Sequence, residues 1–441
     1  MARHLLPLRG TKKPSVEIVP LTGGRGLDVS PFLVYFMTYS SLDSPFMAAQ
    51  IVISNENNIM SGLNVDGDWA VVISGTAGNG KTISGKFHIN SFKGVPQNNN
   101  KSEAVEMQCI AMEHIHDDSQ RINVYDYWYN KQTISSLVKN VVAKDYLGIQ
   151  QVKGNVSTTP AVNINIPKMH PTEAIAFLLE RGVMSGTKSV FSFYQKFDDS
   201  GAMNFYLDEL STLAKKGPKW KFIKHEGSYG VSDAHLLDLD YINGGRQSKI
   251  MNFESGSVFN ARDIVNMGYA SRSVIRMDTI KKRYVSFDDE SQHTAMNNKQ
   301  MPKVVSIANQ NKTPLFNRLM YDVIPYDPTY IEDPKLETCY LTSKPVAAGL
   351  LGKRITLLTY GCPDVNTGDV VQLALPEYNS SENRPIDKAY SMNYLVYAVQ
   401  HSQDGNGDFM SKYELVSDGE GSPSGGPVPV EGSLEAAEGT V

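Results

Sequence analysis

The stretch Gly75-Thr76-Ala77-Gly78-Asn79-Gly80-Lys81-Thr82, together with the residues on either side of it, distinguishes an enzyme from a structural protein. The stretch satisfies the phosphate-loop pattern G-x-x-x-x-G-K-[ST] at every position. In a working loop, the backbone around Gly75 and Gly80 would cradle phosphates. Lys81 would reach those phosphates, and the Thr82 hydroxyl would hold Mg²⁺. These four residues form a candidate cofactor site, and they make a nucleotide-binding or nucleotide-hydrolysing protein one hypothesis.

The flanking residues predict a β-hairpin instead. Residues 69–74 are apolar and β-branched, as a strand should be. A phosphate loop needs a helix after Thr82, but polar and apolar residues alternate through residues 83–90, which is the period of a half-buried strand. Gly85 would cost the first turn of a helix about 1 kcal/mol relative to alanine. Asn79-Gly80 is a strong turn dipeptide because both residues tolerate positive φ. We therefore predict a hairpin whose polar tip resembles a phosphate loop.

Length and composition are those of a globular protein without a membrane span. The chain has 441 residues, a length that is enough for several domains. Of these residues, 41% are hydrophobic and 20% are charged, as in ordinary globular proteins. It has no run of about 18 apolar residues, and residues 1–8 are too short and too broken by proline for a signal peptide. Cys109, Cys339 and Cys362 are odd in number and far apart. We expect free thiols and assembly in a reducing cytoplasm.

The net charge of −5 is concentrated at one end of the chain. Residues 418–441 contain five acidic residues and no lysine or arginine, so residues 1–417 sum to zero. A neutral body argues against general nucleic-acid binding, which needs a basic surface. The acidic segment is rich in glycine and proline and has no aromatic residue, so we expect it to be disordered when free.

Hydrophobic periodicity predicts an α+β protein with β structure at both ends. Helical spacing is found at residues 134–146, with Gly148 placed to end the helix, and again from Pro171 to Gly182. A further helix is possible around residues 341–353, whereas residues 228–335 are mixed and polar. The predicted strands fall at residues 32–37, 49–54, 69–74, 82–90, 105–110, 190–194, 204–207, 370–375, 394–399 and 412–416.

Three other clusters have a functional and a structural interpretation. His114 and His116 in residues 113–118 would share one face of a strand, a spacing that metals use, but no third ligand is apparent and a polar strand end is favoured. Residues 404–408 resemble the start of a calcium loop, but Phe409 stands where glycine is needed, so a hairpin tip is favoured. The third cluster is a basic run, which comprises Lys215, Lys216, Lys219, Lys221 and Lys224 around Trp220 and Phe222. Such a run could follow a phosphate backbone, but an exposed edge strand is the favoured interpretation. We expect no metal, no cofactor and no catalytic residues.

Several stretches, taken together in order, resemble the central hub protein of contractile bacteriophage tail baseplates. Residues 42–53 resemble the bend and strand of that family's first ring domain, and the hairpin at residues 69–90 lies where the family has paired strands. Residues 132–138 and 171–178 resemble its two connecting helices. Residues 367–371 and 394–401 resemble strands of its second ring domain.

The resemblance implies a structural protein of the virion tail and not an enzyme. Three copies would form a ring in which each chain supplies two tube-like antiparallel β-barrels, so that a trimer presents pseudo-sixfold symmetry. The implied domains are residues 1–116 for the first barrel, 117–202 with 228–335 for an α/β connecting region, 203–227 with 336–417 for the second barrel, and 418–441 for the acidic tail.

The resemblance also implies partners, and two alternatives stay open beside it. One face of the ring would meet a hexameric tail tube and the other a trimeric spike. Baseplate wedge proteins would surround the ring, and the tape-measure protein and DNA would pass through it. The alternatives are the nucleotide-binding protein that uses residues 75–82, and another tail-tip protein, such as a distal-tail or spike-associated component.

Overall fold

The computed structural model shows a mostly β protein with a few short helices. It describes residues 12–55, 69–96, 103–122, 128–159, 161–185, 187, 189–224, 249–255, 272–278, 282–289, 299–300, 321–326, 341–343, 346–347, 349–350, 353–375, 387 and 390–420. The α+β class predicted from periodicity is confirmed at this level.

The elements follow one another in three groups along the chain. The first group contains strands β1 Ser15–Pro20, β2 Leu27–Asp28, β3 Leu33–Ser41, β4 Ala48–Ser54, β5 Trp69–Thr76, β6 Thr82–Pro96 and β7 Glu103–Ala111, with a 3₁₀ turn at Ser30–Phe32. The middle group contains helix α1 Met112–Ser119, β8 Trp128–Gln132, helix α2 Ile134–Ser136 continuing as a π-helix Leu137–Tyr146, β9 Val152–Lys153, β10 Val162–Asn165, α3 Pro171–Leu179, β11 Phe191–Phe197, β12 Met203–Glu209 and α4 Leu210–Ala214. The last group contains β13 Trp220–Ile223, β14 Ile250–Ser255, β15 Arg272–Asp278, β16 Arg283–Asp289, β17 Lys299–Gln300, β18 Tyr321–Tyr326, β19 Lys353–Tyr360, β20 Val370–Ala374, β21 Asn393–Asp404, β22 Phe409–Ser417 and β23 Gly419–Glu420.

One sheet of 13 strands joins the two ends of the chain. Its strands lie in the order β14-β19-β22-β21-β3-β4-β7-β6-β5-β1-β2, with β20 and β13 attached beside β21. The two halves meet where β3 pairs antiparallel with β21, from Ser41 opposite Ala398 to Tyr35 opposite Asp404. Backbone hydrogen bonds therefore fix the first β region directly against the last one, across more than 350 residues of sequence.

Each half of the sheet covers its own hydrophobic core. The core of the first half contains the fully buried Phe36, Ile51 and Phe87. The core of the second half contains Phe222 and Tyr413, whose rings lie 5.3 Å apart. Buried residues alternate with more accessible ones in β1 and β19, which is the period of two that places one face of a strand on such a core.

The middle group packs helices on a small sheet. Strand β11 pairs along its full length with β12, which also pairs with β9. The amphipathic α2 ends before Gly148, whose φ of +73° is the left-handed conformation expected after a helix C-terminus. Pro171 is the first residue of α3, as predicted, and α3 ends at Leu179 rather than at Gly182. The strand-turn-strand prediction for residues 190–207 is also confirmed.

Two sequence predictions differ from the structure in local detail. Residues 113–118 form part of helix α1 and not a strand end. The helix turns Asp117 inward, where its carboxylate accepts hydrogen bonds from the backbone N–H and the hydroxyl of Thr172, at 2.8 and 2.7 Å. Residues 15–20 form strand β1, which the sequence interpretation did not include.

The predicted domain limits cross some of the observed elements. Strand β12 begins at Met203, where the second ring domain was expected to start, yet it hydrogen-bonds with β11 of the connecting region. Helix α1 spans the expected limit between residues 116 and 117. The two-barrel division therefore stays a prediction. Residues 341–343, 346–347 and 349–350 are helical, whereas residues 421–441 of the acidic tail lie outside the described residues.

Candidate functional site

The phosphate-loop sequence forms the hairpin that its alternation predicts. Strands β5 and β6 pair antiparallel from Ala70 opposite His88 to Thr76 opposite Thr82. The tip, residues 77–81, closes on itself: the Ala77 N–H donates to the Lys81 carbonyl and the Gly80 N–H donates to the Ala77 carbonyl, both at 2.9 Å. A strand follows Thr82 where a phosphate loop needs a helix N-terminus.

The four candidate residues have structural positions in this hairpin. Gly80 adopts a φ of +84°, the turn conformation that favours glycine. The Thr82 hydroxyl lies 2.9 Å from the Thr76 hydroxyl across the strand pair. Lys81 forms an ion pair of 2.5 Å with Asp364, and Asn79 donates to the same carboxylate at 2.7 Å. The lysine that would reach a phosphate is thus neutralised by a residue of the C-terminal half.

A buried glutamine joins the base of the hairpin to the C-terminal half. The Gln403 Oε1 accepts from the Thr76 N–H at 3.2 Å, and its Nε2 contacts the carbonyls of Thr76, Lys12 and Gly407 at 3.0–3.1 Å. A Cβ on Gly75 would come within 2.8 Å of that Oε1. Glycine at position 75 therefore permits close packing of strand β5 on Gln403, rather than the approach of a phosphate.

The turn of the β11–β12 hairpin contacts the same place from the connecting region. The Ser84 N–H donates to the Gly201 carbonyl at 2.8 Å. Gly201 has a φ of +82°, and a Cβ there would lie 1.8 Å from the Thr82 carbonyl oxygen. The hairpin tip 77–81, the turn 198–202 and the loop 361–369 therefore meet at one place, which we call the junction.

Lysines and aspartates form the polar part of the junction. Lys196 lies 3.5 Å from Asp369 and donates to the Thr367 carbonyl at 2.8 Å. Burial lowers the pKa of Lys196, although Asp369 acts in the opposite direction. Lys219 pairs with Asp199 at 2.9 Å and with Asp369 at 3.2 Å. These carboxylates outweigh the effect of burial and raise the pKa of Lys219.

Lys219 is therefore neutralised by aspartates of the same chain. This weakens the hypothesis that the basic run follows a phosphate backbone, because Lys219 is at the centre of that run. Lys221 and Lys224 lie in or next to β13, which among the described strands pairs with β20 alone and so lies at an edge of the large sheet, as the edge-strand interpretation expected. These partners could not be identified from the sequence, because Asp199 and Asp369 lie 20 and 150 positions from Lys219.

Beneath the junction lies a buried polar chain that the sequence analysis did not detect. The His401 Nδ1 lies 2.8 Å from the Ser411 hydroxyl, and its Nε2 lies 3.5 Å from the Asn366 amide oxygen. Burial lowers the pKa of His401 to about 3 and raises that of the nearby Cys362 thiol to about 12. Ser411 is fully buried, so no substrate reaches this serine in the structure. The chain of contacts ties β21, β22 and the loop 361–369 together.

The other sequence candidates do not assemble into a metal site. On a helix, His114 and His116 point about 200° apart, so they do not share a face, and His114 instead lies 3.1 Å from Asp118. Residues 404–408 form the tip between β21 and β22, with the Asp404 carboxylate accepting from the Asn406 and Asp408 N–H groups. Within the described part of the chain, no group of three or more potential ligands is close enough to hold a metal ion.

Comparison with known proteins gives a clear result for structure only. No protein-family model matches the sequence, and no match was found among curated protein sequences. The fold is similar to a tail protein from Neisseria meningitidis MC58, with a TM-score of 0.55 and 11% identity over 92% of this chain and 97% of that one. It is also similar to the 43 kDa tail protein of prophage MuSo2 from Shewanella oneidensis, with a TM-score of 0.52 and 12% identity over 92% and 98%.

The chain therefore has the fold of phage tail proteins, and the resemblance inferred from the sequence is confirmed at the level of the fold. The match extends through the first β region, the connecting region and the last β region, since it covers nearly all of both chains. No helix among the described residues is long and apolar enough to span a membrane.

Proposed function

We propose that this chain is a structural component of a phage tail baseplate, located in the virion tail. The observation that carries the proposal is the end-to-end likeness to two tail proteins of similar length. The junction supports a structural role, because its charged residues are paired with one another and its most buried polar groups hold strands together. A phosphate-loop enzyme is not proposed, because Lys81 is paired with Asp364 and strand β6 begins at Thr82.

More specifically, we propose a trimeric central hub. Each chain would contribute two ring domains, and three chains would then present six similar units to a hexameric tail tube. The presence of a separate hydrophobic core on each side of the β3–β21 pairing supports this proposal. A rigid connection between the two cores is what a ring requires, since a flexible one would let the six units lose their spacing.

The proposed partners follow from that role. The tail tube would bind one face of the ring, a trimeric spike the other, and wedge proteins the outside. Tape-measure protein and DNA would pass through the central channel, which is compatible with a body of zero net charge outside the acidic segment. The channel itself would require the assembled ring.

Electron microscopy of the purified chain tests this proposal. The expected particle is a threefold ring with six similar lobes, two from each chain. A ring of six chains with one lobe each would favour the distal-tail alternative. Particles without rotational symmetry would contradict both proposals.

A further inference from the structure

A basic turn, residues 215–219, connects helix α4 to strand β13. Its sequence is Lys-Lys-Gly-Pro-Lys, and all five residues are exposed. The last lysine is paired with Asp199 and Asp369. Lys215 and Lys216 form no ion pair within the part of the chain that the structure describes. The turn is therefore a positively charged surface that is open to an acidic partner.

The acidic end of the chain leaves the sheet beside this turn. Val416, near the end of β22, lies opposite Leu395 of β21, and Leu395 lies opposite Val370 of β20. The Val370 carbonyl accepts a hydrogen bond from the Lys219 N–H at 2.7 Å. Three strand spacings therefore separate Val416 from the turn, which is about 14 Å. The same hydrophobic cluster contains Val416 and Ala214, the residue before the turn.

The segment that follows the described chain consists of a neutral spacer and a charged end. Residues 421–430 contain only Gly, Ser, Pro and Val, whereas Glu431, Glu435 and Glu438 lie close together after them, with no Lys or Arg. A flexible linker as long as the one from Glu420 to Glu431 has an r.m.s. length of about 18 Å. The effective concentration of a tethered group is highest where this length matches the span. The spacer therefore suits the short distance to the basic turn.

A second exposed pair of lysines lies towards the other end of β21. The Lys12 carbonyl accepts a hydrogen bond from the Gln403 side chain. Gln403 is eight residues beyond Leu395 on β21, which is about 26 Å of strand. Lys12 and Lys13 thus have the same charge as the first two lysines of the basic turn but lie further from the point where the acidic segment leaves the sheet. Distance favours the basic turn, and Lys12 and Lys13 supply an internal control.

We propose that residues 431–438 bind the basic turn of the same chain through contacts between glutamate carboxylates and lysine ammonium groups. The contact keeps the turn from binding other polyanions, and DNA or polyphosphate would compete with the tail for the same lysines. Both partners are exposed, so the contact is weak and is lost as salt shortens the Debye length well below about 8 Å. It needs no neighbouring copy and is independent of the proposed trimer.

Amine acetylation of the full chain tests the contact. Mass spectrometry measures the rate at each exposed lysine under a limiting dose of reagent. The variant neutralises the acidic segment by Glu431→Gln, Glu435→Gln and Glu438→Gln. The rates at Lys215 and Lys216 should rise by about twofold or more, because a lysine beside a carboxylate is kept protonated and is shielded from the reagent. The rates at Lys12 and Lys13 should not change.

A charge-matched control neutralises three exposed acids elsewhere, by Glu17→Gln, Asp145→Asn and Asp408→Asn. This control should leave the rates at the basic turn unchanged. Unchanged rates at Lys215 and Lys216 in the variant of the acidic segment would overturn the proposal. An equal rise at Lys12 and Lys13 would also overturn it, because the tail would then act on lysines in general.

Carbodiimide cross-linking tests which copy supplies the tail. The reagent activates a carboxylate, and a lysine amine in contact with it displaces the resulting urea to form an amide. When isotopically light and heavy chains are mixed before assembly, links from residues 431–438 to Lys215 or Lys216 should join peptides of the same label and disappear at about 0.5 M salt. Absence of these links, or mixed-label links as abundant as same-label ones, would overturn the proposal. Light scattering reports on the trimer separately, so same-label links in a monomer would contradict the hub alone.

Discussion

The strongest single prediction concerns Gln403, because this buried side chain makes three contacts across the join of the two β regions and a fourth with the Gly407 carbonyl of its own β region. The proposed change is Gln403→Leu, which keeps a side chain of similar size but removes both polar atoms. The Thr76 N–H and carbonyl then lose their partner at a position that is only 1% exposed. Each buried polar group left without a partner costs about 1–3 kcal/mol, so we expect a total loss of about 4 kcal/mol.

Urea unfolding followed by tryptophan fluorescence measures this loss, since Trp69 begins strand β5 and reports on the affected hairpin. With an m-value of about 3 kcal/mol/M, the midpoint should fall by about 1 M. The matched control is Gln400→Leu on the same strand, where the glutamine is only partly buried. The control should change stability by less than about 0.5 kcal/mol. Equal shifts for the two variants would refute the claim that Gln403 joins the halves.

Three further predictions concern the junction. Lys81→Ala should leave a folded protein whose free energy of unfolding is about 1 kcal/mol lower, because the partly exposed ion pair with Asp364 is lost. Calorimetry should show no Mg-ATP binding to the protein before or after this change. Measurable binding to the unchanged chain would contradict the hairpin interpretation. Gly201→Ala should cost about 2 kcal/mol or more by thermal unfolding, because it combines a positive φ with a contact to backbone, whereas Gly217→Ala, with open space around it, should cost little. Burial lowers the pKa of His401 from its ordinary value of 6.5 to about 3, so between these pH values His401 binds a proton only in the unfolded state. As the pH is lowered through this range, the free energy of unfolding should fall by up to about 1.4 kcal/mol per pH unit. His401→Gln should flatten this dependence, and an unchanged slope would show that His401 is not responsible.

Local chemistry made several elements predictable from the sequence. Alternation after Thr82 and the Asn79-Gly80 turn predicted the β5–β6 hairpin, and the structure confirms it. Gly148 and Pro171 marked the end of one helix and the start of another, because their backbone preferences act within a single turn. Such features depend only on neighbours in the chain, which is why one sequence is enough to detect them.

The junction could not be predicted, because it depends on partners far apart in the sequence. Lys81 and Asp364 are separated by 283 positions, and nothing near either residue identifies the other. The pairing of β3 with β21 is equally distant. The prediction of a strand end at His114 and His116 was wrong for a different reason. The short polar run after β7 is compatible with a strand or a helix, and the burial of Asp117 against α3 favours the helix.

The central claim is that this chain forms a closed trimer, and light scattering tests it most directly. The purified full chain should have a mass about three times 48.7 kDa, and this mass should persist on dilution, because obligate ring interfaces are large. A mass equal to one chain at every concentration tested, or a stable dimer, would contradict the trimeric hub.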